Sequence, residues 1–150
     1  MPKSRTGLSG YNALFLMDID NFKQINDTMG HMKGDETIRC FARVLKRTFR
    51  AEDVIYRMGG DEFAVFVERL QMPDLNIDTI LRRLRTHIEE ARAEFPFLSI
   101  STGVYLTNGE HTYDEYYLQA DQALYETKKK GKDHDTIRKN TEAFVEHRLE

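Results

Sequence analysis

Two adjacent glycines, Gly59 and Gly60, stand between the apolar runs Val54-Ile55-Tyr56 and Phe63-Ala64-Val65-Phe66-Val67. This pattern predicts two antiparallel strands joined by a tight turn, because the turn needs positive φ and glycine carries no Cβ to clash there. The turn delivers two consecutive carboxylates, Asp61 and Glu62, to one end of a sheet. Charge at that density needs water, a cation or a basic ligand to offset it. A plain surface hairpin would explain the glycines alone.

The rest of the chain supplies elements to pack around that hairpin. Ala13 to Asp18 is a short apolar run ending in acid, which predicts a buried strand. Asp20 or Asn21 then offers a cap for a short helix through Phe22, Ile25 and Asn26. Ile38, Phe41, Ala42, Leu45 and Phe49 repeat at helical spacing, as do Ile77, Ile80, Leu81, Leu84 and Ile88. Pro73 marks a loop before the second stripe. Phe97 to Thr107 reads as a strand, and Tyr113, Tyr116, Tyr117, Ala120 and Leu124 as a last helix ending near Gly131. A short strand is expected around Thr136 to Arg138. Helices over a mainly antiparallel sheet give an α+β, ferredoxin-like fold rather than a doubly wound parallel one.

At 150 residues the chain reads as one domain with a real core. Residues 13–139 are expected to form it. Residues 1–12 read as a linker remnant, and 140–150 as a tail whose Leu149-Glu150 resembles a cloning scar. The net charge of −3 gives no general attraction to nucleic acid or to an anionic membrane. One cysteine, Cys40, leaves no internal disulfide and no cysteine-based zinc cluster. No apolar run approaches the ~20 residues that span a bilayer, so the expected compartment is cytoplasmic, with any membrane anchor belonging to a longer parent protein.

If the first strand pairs beside the hairpin, Asp18 converges with Asp61 and Glu62. Three carboxylates around one point form an oxygen cage suited to Mg²⁺, which retains waters and shares its shell with phosphates. Lys23, Lys128 and Lys132 supply counter-charge, and Lys128 and Lys132 are spaced to share a helix face. Acidic metal ligands with lysines nearby suit a nucleoside triphosphate. Asn26 and Asp35 bracket Gly30 and Gly34 and have the donors and acceptors for a guanine edge, although both are also ordinary turn formers. No Walker-type loop or dinucleotide fingerprint is present.

Taken together, several blocks resemble the GGDEF family of diguanylate cyclases. They are Asp18-Ile19-Asp20-Asn21-Phe22-Lys23-Gln24-Ile25-Asn26-Asp27, Gly30-His31, Gly34-Asp35 and Arg57-Met58-Gly59-Gly60-Asp61-Glu62-Phe63. Ser101-Thr102-Gly103-Val104, Ala120-Asp121-Gln122-Ala123-Leu124-Tyr125 and Lys128-Lys129-Lys130-Gly131-Lys132 extend the resemblance, which covers roughly residues 13 to 133 in the family's order.

The resemblance implies condensation of two GTP molecules into cyclic di-GMP with loss of two pyrophosphates, each domain of a homodimer holding one GTP. It implies that Asp18, the Ile19 carbonyl, Asp61 and Glu62 hold Mg²⁺ or Mn²⁺, and that Asp61 helps deprotonate the attacking hydroxyl. Gly59 and Gly60 would let backbone approach the phosphates. Asn26 and Asp35 would recognise guanine, with Phe22 and His31 beside the nucleotide and Lys23, Lys128 and Lys132 on its phosphates. Arg50 and Asp53 form an Arg-x-x-Asp pair at the family's spacing for an inhibitory cyclic di-GMP site, and one of Arg82, Arg83 and Arg85 is expected to join it.

The family's usual opening Asp-x-Leu-Thr segment is only faintly echoed by Arg5-Thr6-Gly7-Leu8, and Asp133 stands where the family often has asparagine. An upstream sensory domain is expected to lie outside this sequence. The alternative reading is a catalytically silent module sensing GTP or cyclic di-GMP. Retention of both signature acids argues against it. A palm acting on nucleic acid lacks the basic surface a polyanion requires.

Overall fold

The computed structural model describes residues 10–143. Residues 1–9, with the Arg5–Leu8 echo, and 144–150, with Leu149-Glu150, lie outside the described residues. The elements run β1 (Tyr11–Ile19), α1 (Phe22–Met29), α2 (His31–Thr48), β2 (Val54–Gly59), β3 (Glu62–Leu70), α3 (Pro73–Ala91), β4 (Ile100–Thr107), α4 (Tyr113–Lys129) and β5 (Asp135–Asn140).

The strands form one sheet in the order β2-β3-β1-β4-β5. β1 pairs antiparallel with both β3 and β4, while β5 adds in parallel to β4. The first four strands therefore have the ferredoxin-like arrangement expected from the sequence. β1 is the central strand, which is why its residues from Ala13 onward are all buried.

Period-two alternation along β1 assigns its side chains to two separate cores. Ala13, Phe15, Met17 and Ile19 join residues of α1, α2 and α3, including Ile25, Phe41, Leu45, Leu84 and Ile88. Leu14 and Leu16 join Ala64, Tyr105 and the α4 residues Tyr116, Ala120 and Leu124. Edge-on ring pairs lock both layers, Phe15 with Phe49 on one side and Phe66 with Tyr116 on the other. Each such pair adds about 0.5–1.5 kcal/mol beyond its buried area. The alternation continues to Asp18, which consequently faces α4.

Several local expectations are corrected. Pro73 opens α3 instead of marking a loop, since its fixed φ suits the first helical position and no hydrogen bond is lost there. Strand β4 begins at Ile100, not Phe97, because Phe97 packs edge-on against Phe95 before the ladder starts. Neither Asp20 nor Asn21 caps α1 through its side chain. Asn21 occupies the cap position with φ 58, and Asp20 is engaged elsewhere. The start of α4 is secured by a capping box that the sequence reading omitted: Thr112 Oγ1 accepts from Glu115 N at 3.2 Å, and Glu115 Oε1 accepts from Thr112 N at 2.7 Å. Cys40 is buried, and burial pushes its thiol pKa up, consistent with a packing residue.

Candidate functional site

The hairpin and the end of β1 meet as the acids required. Asp18 stands opposite Glu62 on β3 and Ser101 on β4. The Ile19 N–H donates to the Asp61 carbonyl at 3.3 Å, fastening the turn to the central strand. Arg57 Nε donates to the Gly60 carbonyl at 2.8 Å and braces the turn from its other side. Gly59 and Gly60 have φ 143 and 53, the backbone freedom predicted for this turn.

Because Asp18 faces α4, the ammonium of Lys128 in that helix's last turn donates to Asp18 Oδ2. Asp18 Oδ1 is buried and has no hydrogen-bond partner. Burial pushes the Asp18 carboxyl pKa up, with Lys128 opposing the shift. Burial also raises Glu62, and the nearby charges of Asp18 and Asp121 add to it. Lys128 is lowered by desolvation, but its bond and charge interaction with Asp18 leave its pKa raised overall, so it stays an ammonium. The site is thus acid-rich, with one cation already drawn in.

A cleft of roughly 520 Å³ opens beside these groups, lined by Asp18, Ile19, Asp20, Asn21, Phe22, Lys23, Asn26, Asp61, Lys128 and Lys132. Lys132 Nζ donates to Asn21 Oδ1 at 3.0 Å. The sequence reading placed Lys128 and Lys132 on one helix face. Instead α4 ends at Lys129, and Lys132 returns to the cleft through a turn of its own. Lys23 lines the cleft but is highly exposed and pairs with Asp27 at 2.9 Å.

Five of the residues assigned from the sequence to the metal and nucleotide, His31, Asp35, Gly59, Gly60 and Glu62, are not among the cleft's lining. His31 and Asp35 are exposed near the start of α2. Asn26 does line the cleft, and its position depends on Gly34. A Cβ there would lie 1.9 Å from Asn26 Oδ1. Gly34→Ala is therefore expected to rotate Asn26 away; if Asn26 reads a guanine base, as the sequence resemblance implies, guanine-nucleotide affinity falls about tenfold, the cost of one good hydrogen-bonding group. Comparing GTP with ATP titrations checks this: equal losses for both nucleotides would remove Asn26 from base recognition.

The acids do not form a metal cage unaided. Among the described residues no three acidic, histidine or cysteine side chains are grouped to hold an ion, and Asp18 is engaged by Lys128. The donors nevertheless fit a hard cation that takes phosphate oxygens to complete its shell: Asp18 offers a bare buried oxygen, and Asp61 lines the same cleft.

Arg50 and Asp53 lie apart from this cleft and close on each other. Arg50 Nη2 donates to Asp53 Oδ1 at 3.2 Å, and Arg50 N donates to Asp53 Oδ2 at 2.8 Å. Of the three candidate arginines, Arg83 reaches the end of α2, donating twice to the Thr48 carbonyl at 3.1 and 2.8 Å. Arg82 pairs with Asp78, and Arg85 turns toward Asp135.

Sequence reasoning missed Asn21 and Asp20 as cleft residues and Tyr117 and Asp121 as neighbours of Glu62. The alternation that aims Asp18 at α4 is a signal that could have found the latter pair.

The five-stranded, mostly antiparallel sheet with four helices defines an α+β domain of the palm, or nucleotidyl cyclase-like, class. The chain belongs to the GGDEF family, described as "Diguanylate cyclase, GGDEF domain", which matches residues 7–134. It is 36% identical over 124 residues to diguanylate cyclase DgcM of Escherichia coli K12, covering 80% of this chain and 29% of that protein. It is 40% identical over 131 residues to the probable diguanylate cyclase DgcC of the same strain, covering 83% of this chain and 34% of that protein. The chain thus spans about a third of the length of these curated relatives. Among solved structures it resembles the active GGEEF domain of a diguanylate cyclase from Vibrio cholerae, with TM-score 0.73, 29% identity and coverage of 88% and 85% of the two chains. The GGDEF domain of DgcB from Caulobacter crescentus, solved with c-di-GMP, gives TM-score 0.71, 28% identity and coverage of 85% and 78%. Among the described residues no helix is long and apolar enough to cross a membrane.

Proposed function

We propose that this domain condenses two GTP molecules into cyclic di-GMP, releasing two pyrophosphates. The observation that carries this reading is the bare, buried Asp18 oxygen beside the Asp61-Glu62 turn, in a cleft that is also lined by three lysines. The curated relatives named as diguanylate cyclases support it.

Asp18, the Ile19 carbonyl, Asp61 and Glu62 would hold Mg²⁺ or Mn²⁺. A cation bound there neutralises phosphate charge and acidifies the attacking hydroxyl. Lys128, Lys132 and Lys23 bind the triphosphate. Phe22 packs against the nucleotide, and Gly59 and Gly60 leave room for phosphate against the turn. Asn26 reads guanine, with Asp35 and His31 approaching from α2. Asp61 accepts the hydroxyl proton. No covalent step falls to the protein, so rate derives from positioning and electrostatics. Each domain presents one GTP, and two domains face each other so that one nucleotide's 3′-hydroxyl meets the other's α-phosphate.

The test is incubation with GTP and Mg²⁺ across a range of protein concentrations, with chromatography of the products. Cyclic di-GMP forming with a rate that rises more than linearly with protein supports a dimeric cyclase. GTP uptake with no product at any concentration would instead select the silent sensing module.

Arg50 and Asp53, with Arg83 bonded to Thr48 two residues before Arg50, are the proposed product-inhibition site. Arg50 supplies a fork of donors for a phosphate or a guanine edge, and Asp53 accepts a guanine N–H. The c-di-GMP bound to the related DgcB domain is consistent with a product-binding surface. Arg50→Ala is expected to raise the product concentration giving half-inhibition about tenfold or more, the loss of a charge-assisted contact. An unchanged inhibition curve would dismiss the site.

A further inference from the structure

Lys132 and Asp133 have φ 66 and 55, two consecutive residues with side chains in the left-handed region. Such residues visit it singly and rarely, so the surroundings must hold this turn in place. They do so from two directions. The Asp133 N–H donates to Asp20 Oδ2 and to Ser101 Oγ, each at 3.1 Å. Its carboxylate accepts from Arg92 Nη2 at 2.9 Å to both oxygens, from Arg85 Nη1 at 3.3 Å and from the Ile100 N–H at 3.2 Å. Asp20 is itself fixed by the hydroxyls of Ser99 and Ser101, both at 2.6 Å. The consequence falls on the preceding residue, whose ammonium is aimed at Asn21 across the cleft.

We propose that Asp133 is a positioning residue, its carboxylate anchoring the turn to Arg85 of α3 and to Arg92 at the C-terminal cap of that helix so that Lys132 points at the nucleotide's phosphates. The inference rests on the reading of the cleft as a GTP site. Asparagine at this position would keep the left-handed backbone and accept from Ile100, but it would lose the ionic anchor to Arg85 and Arg92.

The test compares GTP affinity, KM and kcat for Asp133→Ala, Lys132→Ala, the double variant and Asp133→Asn. Asp133→Ala is expected to raise Kd and KM for GTP about tenfold, as loss of one charged contact does, with kcat much less affected. Because Asp133 acts through Lys132, the double variant should bind GTP no more weakly than Lys132→Ala. Asp133→Asn should recover part of the loss. If alanine prevents folding, Asp133→Gly adopts the same φ without strain and isolates the anchor. Losses that multiply in the double variant, or unchanged affinity in Asp133→Ala or Asp133→Gly, overturn this proposal alone. An unaltered chain that takes up no GTP overturns it together with the reading of the cleft.

Discussion

Replacing Glu62 with alanine is expected to lower cyclic di-GMP formation about a thousandfold or more, the scale on which loss of a transition-state electrostatic contact or a positioned base acts. Glu62 stands opposite Asp18 across a strand pair, and its partly desolvated carboxyl is raised further by the Asp18 charge. Removing it should relieve a like-charge interaction, and the fold should persist. Asp61→Ala is expected to have an equally severe effect on turnover. The Asp61 carbonyl, which receives the Ile19 N–H, is backbone and survives that substitution. Product chromatography beside a thermal melt separates the two effects: a folded variant retaining most of its turnover would refute the assignment of either acid.

Gly103→Ala is expected to give the largest loss of stability. A Cβ at Gly103 would lie 2.2 Å from Leu124 N and 2.4 Å from the Ala120 carbonyl, both backbone atoms of α4. A side chain can rotate away from such a clash, but a helix backbone must move bodily. α4 would have to retreat from β4, loosening the Thr127 hydroxyl from the Thr102 carbonyl and from Thr136, bonds of 2.8 and 2.6 Å. Overpacking of this kind costs about 3 kcal/mol, which lowers Tm by on the order of 10 °C in a domain of this size. Lys128 rides on the same helix, so activity should fall as well. A melting temperature within a degree or two of the unaltered chain would show that the helix yields easily.

Much of this was legible in the residues because the signals were local. The glycine pair stated its own turn, the helical stripes stated their buried faces, and the apolar run before Asp18 stated a buried strand. Motif resemblance carried the family. What escaped depended on partners distant in sequence. Asp20 has the spacing of a helix cap, yet Ser99, Ser101 and the Asp133 N–H compete for it from across the fold. Lys132 has helix spacing from Lys128, and although Gly131 signals the helix end locally, nothing local announces that Arg85 and Arg92 hold the next turn. The separation of His31 and Asp35 from the cleft lining is likewise set by how α2 packs.

The Lys128 contact with Asp18 occupies one carboxylate oxygen and leaves the other without a hydrogen-bond partner. A cation taking up that carboxylate would have to share it with a tethered ammonium or displace it, so an affinity measured there would be a difference between two ion pairings. A lysine displaced in this way would be left on a four-carbon stem at the mouth of the same cleft.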